Sequence, residues 1–177
     1  WALEHPEGSE YPLTSLSMEE LAGANRAAIV VIARAPERTD CTLTDSETQM
    51  LRSVTAAFGR TVLVLATPGF LELNDAAMAC SAIVWMGIAG QEGGAALADL
   101  LTAAVMPMGK LSFSWPVSLA AFDEANAQRD QFVGYRYFDS FRTELRWPFG
   151  YGLGYGTCTL GSVSVGLDGS DVTVTAE

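Results

Sequence analysis

The chain has 177 residues, 49% of them hydrophobic and 18% charged, the composition of a folded domain able to bury a core. Ten Lys and Arg against 21 Asp and Glu give a net charge of −11 with no basic run, which argues against nucleic acid or anionic membrane partners. No apolar run approaches the ~18 residues of a membrane-spanning helix, so no such span is expected. Cys41, Cys80 and Cys158 are odd in number and lack metal-ligand spacing, the pattern of reduced thiols in a cytosolic protein. The chain opens at Trp1 with no methionine or signal-like segment, and is expected to be a piece of something longer.

Residues 1–24 are polar and proline-interrupted, a leader with a short helix expected at Ser17-Met18-Glu19-Glu20-Leu21. Ser17 and Glu20 there have capping-box spacing. Ala27-Ala28-Ile29-Val30-Val31-Ile32-Ala33 is continuous and apolar, which predicts a strand covered on both faces. A polar loop leads to a helix capped by Thr44 or Asp45, with Met50, Leu51, Val54, Ala57 and Phe58 as its buried stripe and Gly59 as its stop. Thr61-Val62-Leu63-Val64-Leu65-Ala66 is a second strand, turned by Pro68-Gly69, and a weaker helix is expected over residues 71–79. A third strand, Ala82-Ile83-Val84-Trp85-Met86, runs into the turn Gly90-Gln91-Glu92-Gly93-Gly94. Leu97, Leu100, Leu101 and Ala104 then recur at the spacing of one buried helical face. Gly93 and Gly94 allow a sharp turn and close approach, and the first amides of that helix are open to a ligand or neighbouring domain.

Lys110-Leu111-Ser112-Phe113-Ser114-Trp115 alternates as a strand stopped by Pro116. Strands alternating with helices predict an α/β fold, a mostly parallel sheet with helices on both faces. Residues 122–130 are polar. Two aromatic, glycine-bearing segments follow, and the last stretch alternates from Ser162 to Leu167, turns at Asp168-Gly169, and alternates again through Val172 and Val174. Two strands alone are marginal, so this hairpin reads as the opening of a cut β domain.

Four motifs stand in order: Gly90-Gln-Glu-Gly-Gly, Pro107-Met-Gly-Lys-Leu, Val133-Gly-Tyr-Arg-Tyr-Phe-Asp and Pro148-Phe-Gly-Tyr-Gly-Leu-Gly-Tyr. Together they resemble the α/β sandwich domain of family 3 glycoside hydrolases, the β-glucosidases and their relatives. The resemblance implies a leader over residues 1–24, the α/β sandwich over 25–160, and the first hairpin of a fibronectin-like β domain over 161–177. It also implies a retaining mechanism divided between domains. A (β/α)8 barrel, for which this chain has no room, carries the aspartate nucleophile, and the α/β sandwich lends a general acid/base. The implied substrate is a β-glucoside or related oligosaccharide; no cofactor and no metal are implied.

In the family the acid/base glutamate follows the first strand, and the loop here reads Arg34-Ala35-Pro36-Glu37-Arg38-Thr39-Asp40-Cys41. The order Arg, Glu, Asp matches, so Glu37 is the implied acid/base. Arg34 and Asp40 hold the loop and its charge, and Glu92 faces the interdomain cleft; these three are the implied substrate-site residues. Both glycines that flank the glutamate in the family are replaced, by Pro36 and Arg38, and Cys41 stands where the family has arginine. From residue type alone Glu37 is a solvated loop carboxylate, and Glu92 a first-turn acid placed for the helix dipole. Tyr135, Tyr137 and Trp147 are expected to pack over a sheet edge rather than stack on sugar. Asp45, Glu47 and Glu144 are expected to be solvated. His5, the only histidine, gives no support for nucleophilic triads. Two rival functions are a non-catalytic carbohydrate-binding or scaffolding module of the same fold, favoured by the altered loop, and a nucleotide-binding domain using Gly87, Gly90 and Gly93, whose spacing departs from the dinucleotide fingerprint.

Overall fold

The computed structural model describes residues 15–36, 40–127, 131–156, 159 and 161–176. Helix α1 (Ser15–Ala24) precedes strand β1 (Ala28–Ala33), helix α2 (Asp45–Ala57), strand β2 (Thr61–Ala66), the single turn α3 (Asp75–Met78) and strand β3 (Ala82–Trp85). The three strands form a parallel sheet in the order β1-β2-β3, with Val31 opposite Val64 and Val64 opposite Val84. Strands 61–66 and 82–85 lie where hydrophobic patterning put them. Among the described residues no helix is long and apolar enough to cross a membrane.

One sheet face carries Val30, Ile32, Leu63 and Leu65, which join Leu51 and Val54 of α2 in the main core. Met18 of α1 is buried in the same cluster. The helix begins before Ser17, so Ser17 lies inside it and is not the cap that its spacing with Glu20 suggests. On the other face Val64 is fully buried, but Ile29 and Val31 are 56% and 53% exposed. The apolar run of β1 is therefore covered on one face, not two: it is the outer strand, and among the described residues nothing lies over that end of the sheet.

Helix α4 (Gly93–Leu101) follows the glycine turn. None of its residues is fully buried; Leu97 and Leu100 line an apolar groove of about 190 Å³ against Val84 and Met86. The expected buried stripe is thus only half-buried, and Ala104 lies beyond the helix end and is exposed. The two glycines differ in role. A Cβ on Gly93 would come 2.5 Å from the Ala89 Cβ, whereas one on Gly94 would meet nothing within 4 Å. Neither has positive φ; the left-handed residue of this turn is Gly87, at φ +61°.

The expected strand at 110–115 does not form as such. Strand β4 is Trp115–Pro116, and it pairs antiparallel with β5 (Leu145–Trp147) through a register shift instead of joining the parallel sheet. Pro116 lies within the pairing rather than ending it, the irregular register being where a residue without an N–H is tolerated. Helices α5 (Leu119–Ala127) and α6 (Tyr135–Phe141) lie between these strands, α5 on a stretch that polarity alone marks as loop. Trp115, 1% exposed, joins the two sheets: its indole N–H donates to the Leu71 carbonyl at 3.1 Å, and its ring meets Phe70, Phe113 and Trp147.

Two of the aligned motifs meet on the surface. Leu111 N–H donates to the Tyr151 carbonyl and Gly150 N–H to the Leu111 carbonyl, both at 2.8 Å, while the Lys110 ammonium donates to the Gly152 carbonyl. A Cβ on Gly152 would overlap the Gly109 carbonyl oxygen, so this crossing requires glycine. Strands β6 (Val163–Asp168) and β7 (Asp171–Ala176) form a hairpin closed by Gly169 and Ser170, one residue later than the sequence suggests. Val165 faces Val174 and Leu167 faces Val172, so the apolar side chains share one face. All four are more than half exposed.

Candidate functional site

Parallel pairing places the loops after β1, β2 and β3 at one edge of the sheet, the carboxyl edge where open α/β sheets bind ligands. The loop after β1 carries the implied acid/base, and the turn after β3 carries Glu92. With β2 between them, their strands stand ~10 Å apart, two strand spacings. Glu37 itself, with Arg38 and Thr39, lies outside the described residues. What the structure describes is the loop's two feet.

Arg34 forms the first foot. Its amide continues the β1-β2 ladder by donating to the Ala66 carbonyl at 3.0 Å, and its side chain turns back into the domain, 8% exposed. Nη1 and Nη2 donate to Oε1 and Oε2 of Glu47 at 2.6 and 2.7 Å, the two-pronged geometry that makes arginine–carboxylate pairs strong. The same nitrogens donate to the carbonyls of Ala33 at 3.0 Å and Thr42 at 3.1 Å, and Nε lies 3.6 Å from Asp40 Oδ2. Arg34 and Asp40 are therefore brought together, but the guanidinium faces inward to the loop's frame.

The second foot is the start of α2. Thr44 is its N-cap: the Glu47 amide donates to Thr44 Oγ1 at 3.1 Å, and the Thr44 amide donates to Glu47 Oε2 at 2.8 Å. This capping box uses the carboxylate that also holds Arg34. Glu47 is 6% exposed, which corrects its reading as a solvated acid. Burial alone would raise its pKa. The Arg34 hydrogen bonds, the Thr44 amide and the Arg34 charge outweigh that and hold it below the ordinary carboxylate range. The loop is braced once more where the Glu72 amide donates to the Cys41 carbonyl at 2.6 Å. Glu47 was legible in part: Thr44-x-x-Glu47 is a capping-box spacing, but nothing local reveals the arginine thirteen residues earlier.

Glu92 is exposed at the N-cap of α4 and makes no side-chain cap bond. A carboxylate at that helix terminus opposes a bound phosphate, which weighs against the nucleotide reading. Tyr137 is buried, and Trp147 packs on Trp115 and Tyr151, so both have structural contacts. Tyr135 is 41% exposed and stacks on Phe149 at 4.9 Å between ring centres. Among the described residues no group of three or more His, Cys, Asp or Glu is placed to hold a metal ion, and Cys41 and Cys80 are both half-buried; Cys158 and His5 lie outside the described residues.

A parallel sheet with one strongly braced loop at its carboxyl edge defines an α/β domain of the kind that presents loops to a ligand or to a neighbouring domain. The model of the glycosyl hydrolase family 3 C-terminal domain matches residues 13–155, and the chain belongs to that family. Among curated relatives, the β-glucosidase cel3A of Pyricularia oryzae is 34% identical over 125 residues, covering 66% of this chain and 17% of that protein. An exo-α-(1→6)-L-arabinopyranosidase of Bifidobacterium longum is 33% identical over 138 residues, covering 72% and 18%. Among solved structures, β-glucosidase 3B of Thermotoga neapolitana superposes with a TM-score of 0.82 at 27% identity, over 97% of this chain and 28% of that one. The chain thus spans less than a fifth of the curated relatives' length.

Proposed function

We propose that this chain is the portion of a retaining β-glycosidase, most simply a β-glucosidase, that supplies the general acid/base to an active site completed by a separate (β/α)8 barrel. The barrel would carry the aspartate nucleophile. The reading is carried by the family match over residues 13–155, which includes all four ordered motifs. Relatives named as β-glucosidases and as an arabinopyranosidase share this domain at similar identity, so the sugar is chosen largely outside it.

In this reading Glu37 protonates the departing glycosidic oxygen as the barrel's aspartate attacks the anomeric carbon. Its carboxylate then takes a proton from the water that releases the sugar. The two carboxyls must come within about 5–5.5 Å, so loop and barrel dock closely. Among the described residues at the loop's feet, Arg34 sits with two anions, Glu47 and Asp40. Arg38, beside Glu37 in the sequence, favours the ionised carboxylate, so the raised pKa that an acid catalyst requires has to come from desolvation when the loop docks on the barrel. Asp40 and Glu92 are the side chains proposed to extend the substrate site, and the hairpin after residue 160 is proposed to open a further β domain.

The test is Glu37→Gln in the barrel-containing parent protein. Poor leaving groups should slow by about 10²–10⁴-fold, the usual contribution of general acid catalysis. Good leaving groups should still form the glycosyl-enzyme, which accumulates until azide, needing no base, releases it. Equal slowing of both substrate types, or none, would make Glu37 a bystander, with the acid moved elsewhere or lost; a parent protein without hydrolase activity would favour a non-catalytic module.

A further inference from the structure

We infer that Glu47 is the positioning residue of the acid/base loop: a single buried carboxylate that ties together the two feet from which the loop springs. This rests on the reading of the loop given above.

Three observations carry it. First, both oxygens of Glu47 serve the loop: Oε1 and Oε2 take the two terminal nitrogens of Arg34, where β1 ends, and Oε2 also takes the Thr44 amide, where α2 begins. The residues between these points, 35–43, are the loop. Second, the partner arginine reaches across it, donating to the Thr42 carbonyl at 3.1 Å and lying 3.6 Å from Asp40. Third, the cluster is enclosed: Arg34 and Glu47 are 8% and 6% exposed. A pair this well sheltered is screened far less than one on the surface, and removing one partner leaves a buried charge uncompensated. A capping box needs only the Thr44 side chain and the Glu47 carboxylate. The arginine adds nothing to the cap itself, so its service is to the loop. The span it closes is also the one that departs from the family pattern, with Pro36 and Arg38 in place of glycines.

The experiment uses the barrel-containing parent and compares Glu47→Gln, the double variant R34M/E47M and Glu37→Gln. The double variant removes the charge pair while keeping apolar packing, so it remains informative if Glu47→Gln folds poorly. Amide hydrogen exchange should quicken tenfold or more in peptides covering 33–46, with peptides covering 61–66 unchanged. Turnover of substrates with poor leaving groups should fall by about 10²-fold, the effect of misplacing a catalytic group by an ångström. Good leaving groups should be attacked within threefold of the normal rate, and azide should rescue their second step. Unchanged exchange in 33–46, or equal loss on both substrate types while Glu37→Gln discriminates between them, overturns the role of Glu47. If exchange quickens but Glu37→Gln itself shows no leaving-group dependence, the acid/base assignment falls, and with it the catalytic consequence claimed for Glu47.

Discussion

Replacing Trp115 tests how the small β4-β5 sheet is fastened to the parallel one. The indole is 1% exposed and surrounded by the rings of Phe70, Phe113, Trp85 and Trp147, with centroids 5.3–6.2 Å away. Trp115→Ala removes that volume and should cost about 3–5 kcal/mol, toward the upper end because the Leu71 carbonyl also loses its donor. Trp115→Phe retains an aromatic ring among those neighbours and loses mainly the N–H, leaving a buried carbonyl unpaired at about 1–3 kcal/mol. Urea unfolding followed by far-ultraviolet circular dichroism separates the two. With a slope of about 2 kcal/mol per molar, Phe should lower the midpoint by ~1 M and Ala by ~2 M. Equal midpoints for the two variants would refute the claim that ring packing, over and above the hydrogen bond, holds the sheets together.

Gly93→Ala and Gly94→Ala should act in opposite directions. The first forces a contact with Ala89 and destabilises by about 1–3 kcal/mol, and the second gains about 0.5–1 kcal/mol from reduced chain entropy, both read as shifts in thermal midpoint. Burial alone would raise the Glu47 pKa, but its partners depress it, so the stability from this group is present above the unfolded value of about 4.3 and is lost as pH falls through the lower folded value. The urea midpoint of the unaltered chain should therefore fall more steeply below pH 5 than that of Glu47→Gln; parallel curves would contradict the assigned shift. Deleting residues from 162 onward should leave the thermal midpoint of the α/β part within a few degrees, because the hairpin's described side chains are exposed along both strands.

The parallel core was legible because its strands are short, continuous apolar runs separated by a helix with a clear stripe. Leu51 and Val54 needed only their spacing to be placed, and Thr61-Val62-Leu63-Val64-Leu65-Ala66 needed only its β-branching. What failed was information that is not local. The run of β1 cannot say whether a neighbour covers its second face, and Ile29 and Val31 are more than half exposed, with no described residue over them. Alternation at 110–115 cannot specify a partner, and the partner proves to be antiparallel β5. At the site, residue order points to the loop with its Arg34 and Asp40, but nothing local distinguishes the buried carboxylate that braces it from a surface charge. Its partner is set by the return of α2 beside β1, a tertiary fact.

The bare outer side of β1 also bears on how the chain behaves among its own copies. A strand edge that no described residue pairs, with exposed Ile29 and Val31, and a hairpin with its apolar side chains facing water, attract at contact range. The net charge of −11 repels over longer distances. At low ionic strength the repulsion reaches ~30 Å and keeps copies apart; by 1 M salt it extends only ~3 Å, less than a strand spacing. The dissolved chain should therefore lose colloidal stability as salt is added, and a dilute, salt-poor buffer at neutral pH is the medium in which it stays dispersed.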